Sequence, residues 1–288
     1  MAIRHTKIRA GEFTFDALAA GPSDGELVLL LHGFPQSAEE WRGALQTLGD
    51  AGFRAVAPNQ RGYSAGARPE GVPAYRMSEL TGDVLAMARE LGRERFHLMG
   101  HDWGGTVAWT VAGDHPEAVA SLTVFTTPHT AALGKALRSP NQRARMAYIP
   151  LLRTPLVAET LMRAGGGALL ESLLTMTGLS RAHAKRDVRI LLALGPSGPL
   201  NWYRAIGGAS LPNDAPVEVP TMYVWGDRDV AFGREAAEDT EEYVTGPYHF
   251  VELTGASHWI PDEHWDDVED LVLDHLREHP VGKTPALT

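Results

Sequence analysis

Residues 96–105 read Phe96-His97-Leu98-Met99-Gly100-His101-Asp102-Trp103-Gly104-Gly105. Phe96 to Met99 is a short apolar-rich run of the kind that forms a buried strand, and Thr106 to Ala112 follows with the look of a packed helix. A strand that passes into a helix through Gly-X-residue-X-Gly makes a sharp elbow. Its small residues let strand and helix approach closely, and the turn lifts the central side chain over the sheet edge. The usual occupant is Ser; here it is Asp102. Asp is also a common helix N-cap, so the rest of the chain must decide what this carboxylate is for.

Outward from the elbow, strand-like and helix-like stretches alternate. Ile3 to Ala20 reads as two antiparallel strands around Gly11. Leu27 to Leu31 is a continuous apolar strand of the sort covered on both faces, ending in His32-Gly33-Phe34-Pro35. Ser37 is placed to cap a helix through Leu48, with Glu40 completing a capping box. Phe53 to Ala57 is a strand, Ser78 to Leu91 a Ser-capped helix, and Ala120 to Phe125 another strand. The alternation predicts a mostly parallel α/β sheet with right-handed crossovers. It breaks after Pro128. Residues 129–215 are helical and irregular, with no strand pattern, and read as an inserted helical subdomain. The sheet resumes with Thr221 to Trp225 and His249 to Leu253, and Glu263 to Arg277 is an amphipathic last helix. Residues 1–128 and 216–280 thus form one core domain, and 281–288 a flexible tail.

The chain has 288 residues, enough for one large domain with an insertion. A formal charge of −10 argues against a nucleic-acid surface, and the absence of cysteine excludes disulfides, thiolate nucleophiles and Cys-based metal sites. The N-terminus lacks the apolar core of a signal peptide, and Leu27 to Leu31 is too short to span a bilayer. A soluble, cytoplasmic protein is expected. No phosphate loop, dinucleotide fingerprint or metal spacing is present, so neither cofactor nor metal is expected.

Three strand ends carry chemistry in the order Asp102, Asp229, His258: Asp229 in Trp225-Gly-Asp-Arg-Asp229 and His258 in Gly255-Ala-Ser-His-Trp259. In an open α/β sheet ligands bind at the carboxyl ends of the strands, where all three fall. A carboxylate nucleophile can displace a leaving group at saturated carbon and leave an alkyl ester on the enzyme. A histidine held by an acid then activates water against that ester. The oxyanion formed needs two backbone donors, the N–H of Trp103 and that of Phe34. Asp227 competes with Asp229 for the acid's place, since both flank Arg228. His32 and His101 read as braces, and His129 and His183 as structural or solvent residues.

His32-Gly-Phe-Pro35, Gly100-His-Asp-Trp-Gly-Gly105, Trp225-Gly-Asp-Arg-Asp229 and Gly255-Ala-Ser-His-Trp259 together resemble the α/β-hydrolase fold epoxide hydrolases and their haloalkane dehalogenase relatives. The resemblance covers nearly the whole core. It implies an eight-stranded sheet with a helical cap at 129–215, inserted after the sixth strand, and it favours Asp229 over Asp227. It also implies that Asn201-Trp-Tyr-Arg204 supplies a ring-opening tyrosine, Tyr203, and that Tyr148 falls where the first such tyrosine stands. Phe34, Trp103 and Trp202 are then substrate-binding residues. A phenol remains a donor at neutral pH and can release its proton as an alkoxide forms. The implied partner is a small apolar or partly apolar epoxide, with a homodimer left open. Phe34 rather than Asn after His32-Gly33 favours the epoxide reading over a haloalkane dehalogenase, and Trp103 rather than Arg argues against a fluoroacetate dehalogenase. An esterase is disfavoured by the missing Ser, and a non-catalytic ligand-binding protein by the intact set of three side chains. Leu151, Leu152, Leu156, Leu173, Leu174 and Met176 suggest that the cap lines an apolar pocket.

Overall fold

Every residue of Leu27–Leu31 (β3), Phe96–His101 (β5), Val119–Phe125 (β6) and Thr221–Gly226 (β7) is buried, which is why β3 reads as a continuous apolar run and the other three as apolar-rich ones. They belong to a computed structural model that describes residues 1–206 and 215–282. The remaining strands are Arg4–Ala10 (β1), Phe13–Ala20 (β2), Arg54–Pro58 (β4) and Tyr248–Leu253 (β8). Together they make one eight-stranded sheet in the order β1-β2-β4-β3-β5-β6-β7-β8. The β1–β2 and β2–β4 pairings are antiparallel and all the others parallel. This is the fold class expected from the sequence.

Successive side chains of a strand point to opposite faces, and each face has its own core. Leu29, Leu31, Leu98 and Tyr223 pack with Met77–Glu90 (α2) and Trp103–Asp114 (α3) through Val84, Met87, Val107 and Val111. Val28, Leu30, Met99 and Met222 pack on the other face with Arg42–Asp50 (α1) and Glu269–Glu278 (α13), through Leu45, Leu48, Val272 and Leu276. Each fully buried Leu or Met contributes about 1.5–3 kcal/mol relative to exposure.

Between β6 and β7 the described residues form, besides a 3₁₀ turn at Ala164–Gly167 and an isolated bridge from Val217 to Val244, a run of α-helices. They are Thr130–Ala136 (α4), Pro140–Arg145 (α5), Ile149–Arg153 (α6), Val157–Arg163 (α7), Ala168–Met176 (α8), Arg181–Leu194 (α9) and Ser197–Ala205 (α10). The insertion expected at 129–215 and the tail expected at 281–288 run partly outside the described residues. After β7 come Arg234–Glu238 (α11) and, beyond β8, Ile260–Glu263 (α12).

Three local readings are corrected. Ser78 lies inside the first turn of α2 rather than before it; Arg76 holds the N-cap position and makes no side-chain cap bond. Ser37 does cap, but it caps a short 3₁₀ turn, Ala38–Trp41, by accepting the Glu39 N–H at 3.4 Å. Glu40 completes no capping box, because its carboxyl turns inward to Gly33 and His101. The last helix is also shorter than expected: α12 and a turn at Trp265–Asp267 precede α13.

Candidate active site

Asp102 stands between β5 and α3 with φ +49° and ψ −118°, a conformation an L-residue adopts only under constraint. The constraint is packing. A Cβ on Gly104 would run into the Leu31 carbonyl, and one on Gly100 would meet the Gly104 backbone. Thr127, just past β6, adds a hydrogen bond from its Oγ1 to the Asp102 carbonyl at 2.8 Å. The Asp102 side chain does not cap α3.

Instead the carboxylate is gripped from two sides. Oδ1 accepts the Phe34 N–H at 2.9 Å, and Oδ2 lies 3.6 Å from His258 Nε2. The Trp103 N–H opens α3, where helical N–H groups have no acceptor within the helix. His258 Nδ1 lies 2.9 Å from Asp229 Oδ2. Asp229 Oδ1 in turn accepts the N–H groups of Ala231 and Phe232 at 2.6 and 2.9 Å, so the acid is aimed by its own loop. Asp227 faces elsewhere and accepts the Gly255 N–H at 2.6 Å.

Burial works against charge on Asp102, yet the His258 hydrogen bond and charge and the Phe34 N–H outweigh it and lower the carboxyl below its usual range. Burial likewise pulls His258 down, but Asp229 and Asp102 on either side raise it to about 10. The resting site therefore holds an imidazolium between two carboxylates.

Above Asp102 lies a cavity of about 440 Å³, lined by Trp103, Thr127, Leu133, Leu137, Met146, Ile149, Ile206, Phe232 and both Tyr148 and Tyr203. Tyr203 is 4% exposed and packs edge to face on Trp103 and Phe34, with ring centroids 5.0 and 5.2 Å apart. Burial raises its phenol well above the ordinary value, and the neighbouring Tyr148 and Asp102 add to the rise. Tyr148 keeps 39% of its surface accessible as it lines the cavity, and burial and the charge of Asp102 raise its phenol too.

The residues that match the family model described as alpha/beta hydrolase fold are 26–264. The chain belongs to the α/β-hydrolase family. Within it, the chain is 32% identical over 277 residues to AB hydrolase superfamily protein YfhM of Bacillus subtilis (strain 168), covering 94% of this chain and 96% of that one. It is 31% identical to epoxide hydrolase 3 of Xenopus tropicalis, over 95% of this chain and 77% of that one. The crystal structure of a Bacillus megaterium epoxide hydrolase in complex with an inhibitor superposes with a TM-score of 0.85 at 25% identity, covering 94% of this chain and all of that one.

Trp202 does not line the cavity: it is 2% exposed, packs on Tyr63 and Trp103, and donates its indole N–H to the Arg61 carbonyl at 2.8 Å. Phe34 reaches Asp102 through its amide, and its ring is not part of the cavity wall. The leucines expected in the pocket are elsewhere. Leu151, Leu156, Leu173 and Met176 are exposed, Leu152 packs against the cluster of Ala158, Met162, Leu191 and Leu200, and Leu174 packs with Leu179, Val188 and Trp259. The apolar wall comes from α4, from the Met146–Ile149 stretch and from Phe232. Thr127 carried no sequence signal beyond its place at a strand end. Among the described residues no cluster of His, Asp or Glu could hold a metal ion, and no helix is long and apolar enough to cross a membrane.

Proposed function

We propose that this α/β-hydrolase opens epoxides to vicinal diols through a covalent ester on Asp102, with residues 129–215 acting as the cap over the site. The observation that carries the reading is the setting of Asp102. It is a carboxylate at an elbow, held at Oδ1 by the Phe34 N–H, facing His258 at Oδ2, under a cavity walled by two tyrosines. The epoxide hydrolases among its relatives support the substrate class.

The chemistry follows from those contacts. Oδ2 attacks a ring carbon, the C–O bond breaks, and Tyr203 with Tyr148 protonates the leaving alkoxide. Oδ1 becomes the ester carbonyl in its cradle of N–H groups. Asp102 loses its charge on alkylation, so one of the two carboxylates that hold His258 up at about 10 disappears. The imidazolium then gives up its proton, which restores the tyrosine. Neutral His258, oriented by Asp229, takes a proton from water as the oxygen attacks Cγ of Asp102. The negative charge that forms on Oδ1 is held by the Phe34 and Trp103 N–H groups. Collapse releases the diol and regenerates the Asp102 carboxylate and the His258 imidazolium. Holding the acids and the nucleophile in one cavity also orients the epoxide before attack.

The test is trapping. His258→Gln keeps the nucleophile and removes the base, so protein mixed with an epoxide should gain one substrate mass on Asp102. No adduct across varied epoxides and haloalkanes would sink the alkyl-enzyme mechanism. Halide release without diol formation, surviving Tyr203→Phe, would turn the assignment to a haloalkane dehalogenase.

A further inference from the structure

We propose that Glu40 is a positioning residue for both halves of the reaction, its buried side chain tying the loop that carries the Phe34 N–H to the backbone of His258 by way of His101. The inference rests on the function proposed above for its catalytic meaning; the tie itself is geometric. Glu40 is 1% exposed. Its Oε1 accepts the Gly33 N–H at 3.2 Å, one residue before the donor to Asp102. Its Oε2 lies 3.0 Å from His101 Nδ1, and His101 Nε2 lies 2.9 Å from the His258 carbonyl oxygen. One side chain thus joins the oxyanion loop, the residue before the nucleophile and the base. The loop has little slack, since a Cβ on Gly33 would stand 2.6 Å from the Asp102 Cβ.

The His258 carbonyl can only accept, so His101 Nε2 carries a hydrogen. One further proton lies between Oε2 and Nδ1, and it makes either an acid with a neutral imidazole or a carboxylate with an imidazolium. Both side chains are fully buried, and the His258 ring stands 5.0 Å from that of His101. Burial, helped by Asp262, holds the Glu40 carboxyl well above its usual range, and burial and the His258 charge lower His101 to about 4. Arg186 pulls Glu40 the other way, but its own hydrogen bonds go to Asp187, Asp262 and the Glu39 carbonyl, not to the Glu40 carboxyl. The pair is neutral. Glu40 therefore braces the site without setting a second negative charge beside Asp102 or beside the oxyanion that forms on Oδ1.

A neutral tie makes a sharp prediction, because glutamine can reproduce it. In Glu40→Gln the amide oxygen still accepts from Gly33 and the amide N–H donates to His101 Nδ1, whereas Glu40→Ala cuts both bonds. Single-turnover rates of ester formation and of ester hydrolysis should both fall about 10- to 100-fold in E40A, the scale of a small misplacement of reacting groups. In E40Q they should stay within about threefold of wild type, since both hydrogen bonds survive. The epoxide concentration giving half-maximal ester formation should not move in either variant, because Glu40 does not line the cavity. Nitrogen-15 NMR of the wild-type imidazoles at pH 7 should find His101 as the neutral Nε2–H tautomer. Wild-type rates in E40A, or equal losses in E40A and E40Q, overturn the proposal. If E40A does not fold, E40Q and the NMR decide: a loss above about tenfold in E40Q, or a doubly protonated His101, overturns it. A wild type that forms no ester with any epoxide defeats the functional reading instead, and leaves the His101 signal to judge the tie.

Discussion

Tyr203 packs edge to face on Trp103 and on Phe34, so replacing it with Phe keeps both ring contacts and removes one hydroxyl. Tyr203→Phe should therefore leave thermal stability nearly unchanged while slowing ester formation roughly 10²-fold, the low end for loss of a general acid. Tyr148→Phe should cost less by itself. The double variant should be slower than either, and stopped-flow ester formation measures all three. His258 gives a residue-scale prediction for stability. Its folded value of about 10 lies above the 6.5 of an ordinary imidazole, so the folded state binds the proton more tightly. That contribution is complete below pH 6.5 and drains away as pH rises toward 10. The melting-temperature advantage of wild type over His258→Gln should be largest near pH 6 and shrink through that window. A constant difference from pH 6 to 10 would mean that the imidazolium between Asp102 and Asp229 adds nothing to folding.

At the scale of the element, the elbow is held by close approach. Gly104 packs against the Leu31 carbonyl of the neighbouring strand, and backbone cannot swing aside as the end of a side chain can. Gly104→Ala should destabilise by roughly 1–3 kcal/mol, the range for overpacking a tight site, and should slow ester formation as well, because α3 begins at Trp103. Chemical denaturation and single-turnover kinetics on one sample check both. The elbow was legible in the sequence because its demands are local: an apolar strand, small residues at fixed offsets and a helix after it. The same holds for the parallel sheet, whose buried strands announce themselves as apolar-rich runs, unbroken at Leu27–Leu31. What stayed hidden at this scale depends on which way a side chain turns. Ser37 and Glu40 have the spacing of a capping box, but the chain enters a 3₁₀ turn there and α1 starts only at Arg42. Glu40 then points to Gly33 and His101, residues its spacing cannot reveal. The direction Trp202 takes was hidden for a related reason. It sits beside Tyr203 in sequence, but neighbours on a helix face different ways, and Trp202 faces Arg61 and Tyr63.

At the scale of the whole molecule, the helices between β6 and β7 are fastened to the core at several places, and one fastening lies next to the chemistry. Trp259, directly after His258, donates its indole N–H to Thr177 Oγ1 at 3.0 Å, and Glu263 accepts the Ser180 N–H at 2.8 Å. Arg186 of α9 reaches both Asp187 on its own helix and Asp262 on α12, at 2.8 and 2.7 Å. No local pattern marks this pairing, since its partners are 76 residues apart, which is why the sequence showed an insertion but not its anchor. The anchor is a buried charge cluster: Arg186 is 17% exposed at its side chain, while Asp187 and Asp262 are nearly or fully enclosed. Burial, only partly offset by Arg186, raises Asp187 to about 7. Removing one partner of such a pair leaves a charge with nothing to meet it, typically a loss of about 3–5 kcal/mol. Arg186→Met should therefore lower the melting temperature sharply at pH 8, where Asp187 must ionise or bind a proton against the bulk pH. Arg186→Met with Asp187→Asn removes that stranded charge and should recover a good part of the loss. Recovery measured by calorimetry would identify the penalty as electrostatic; a double variant as unstable as the single one would instead assign it to packing of the Arg186 stem between α9 and α12.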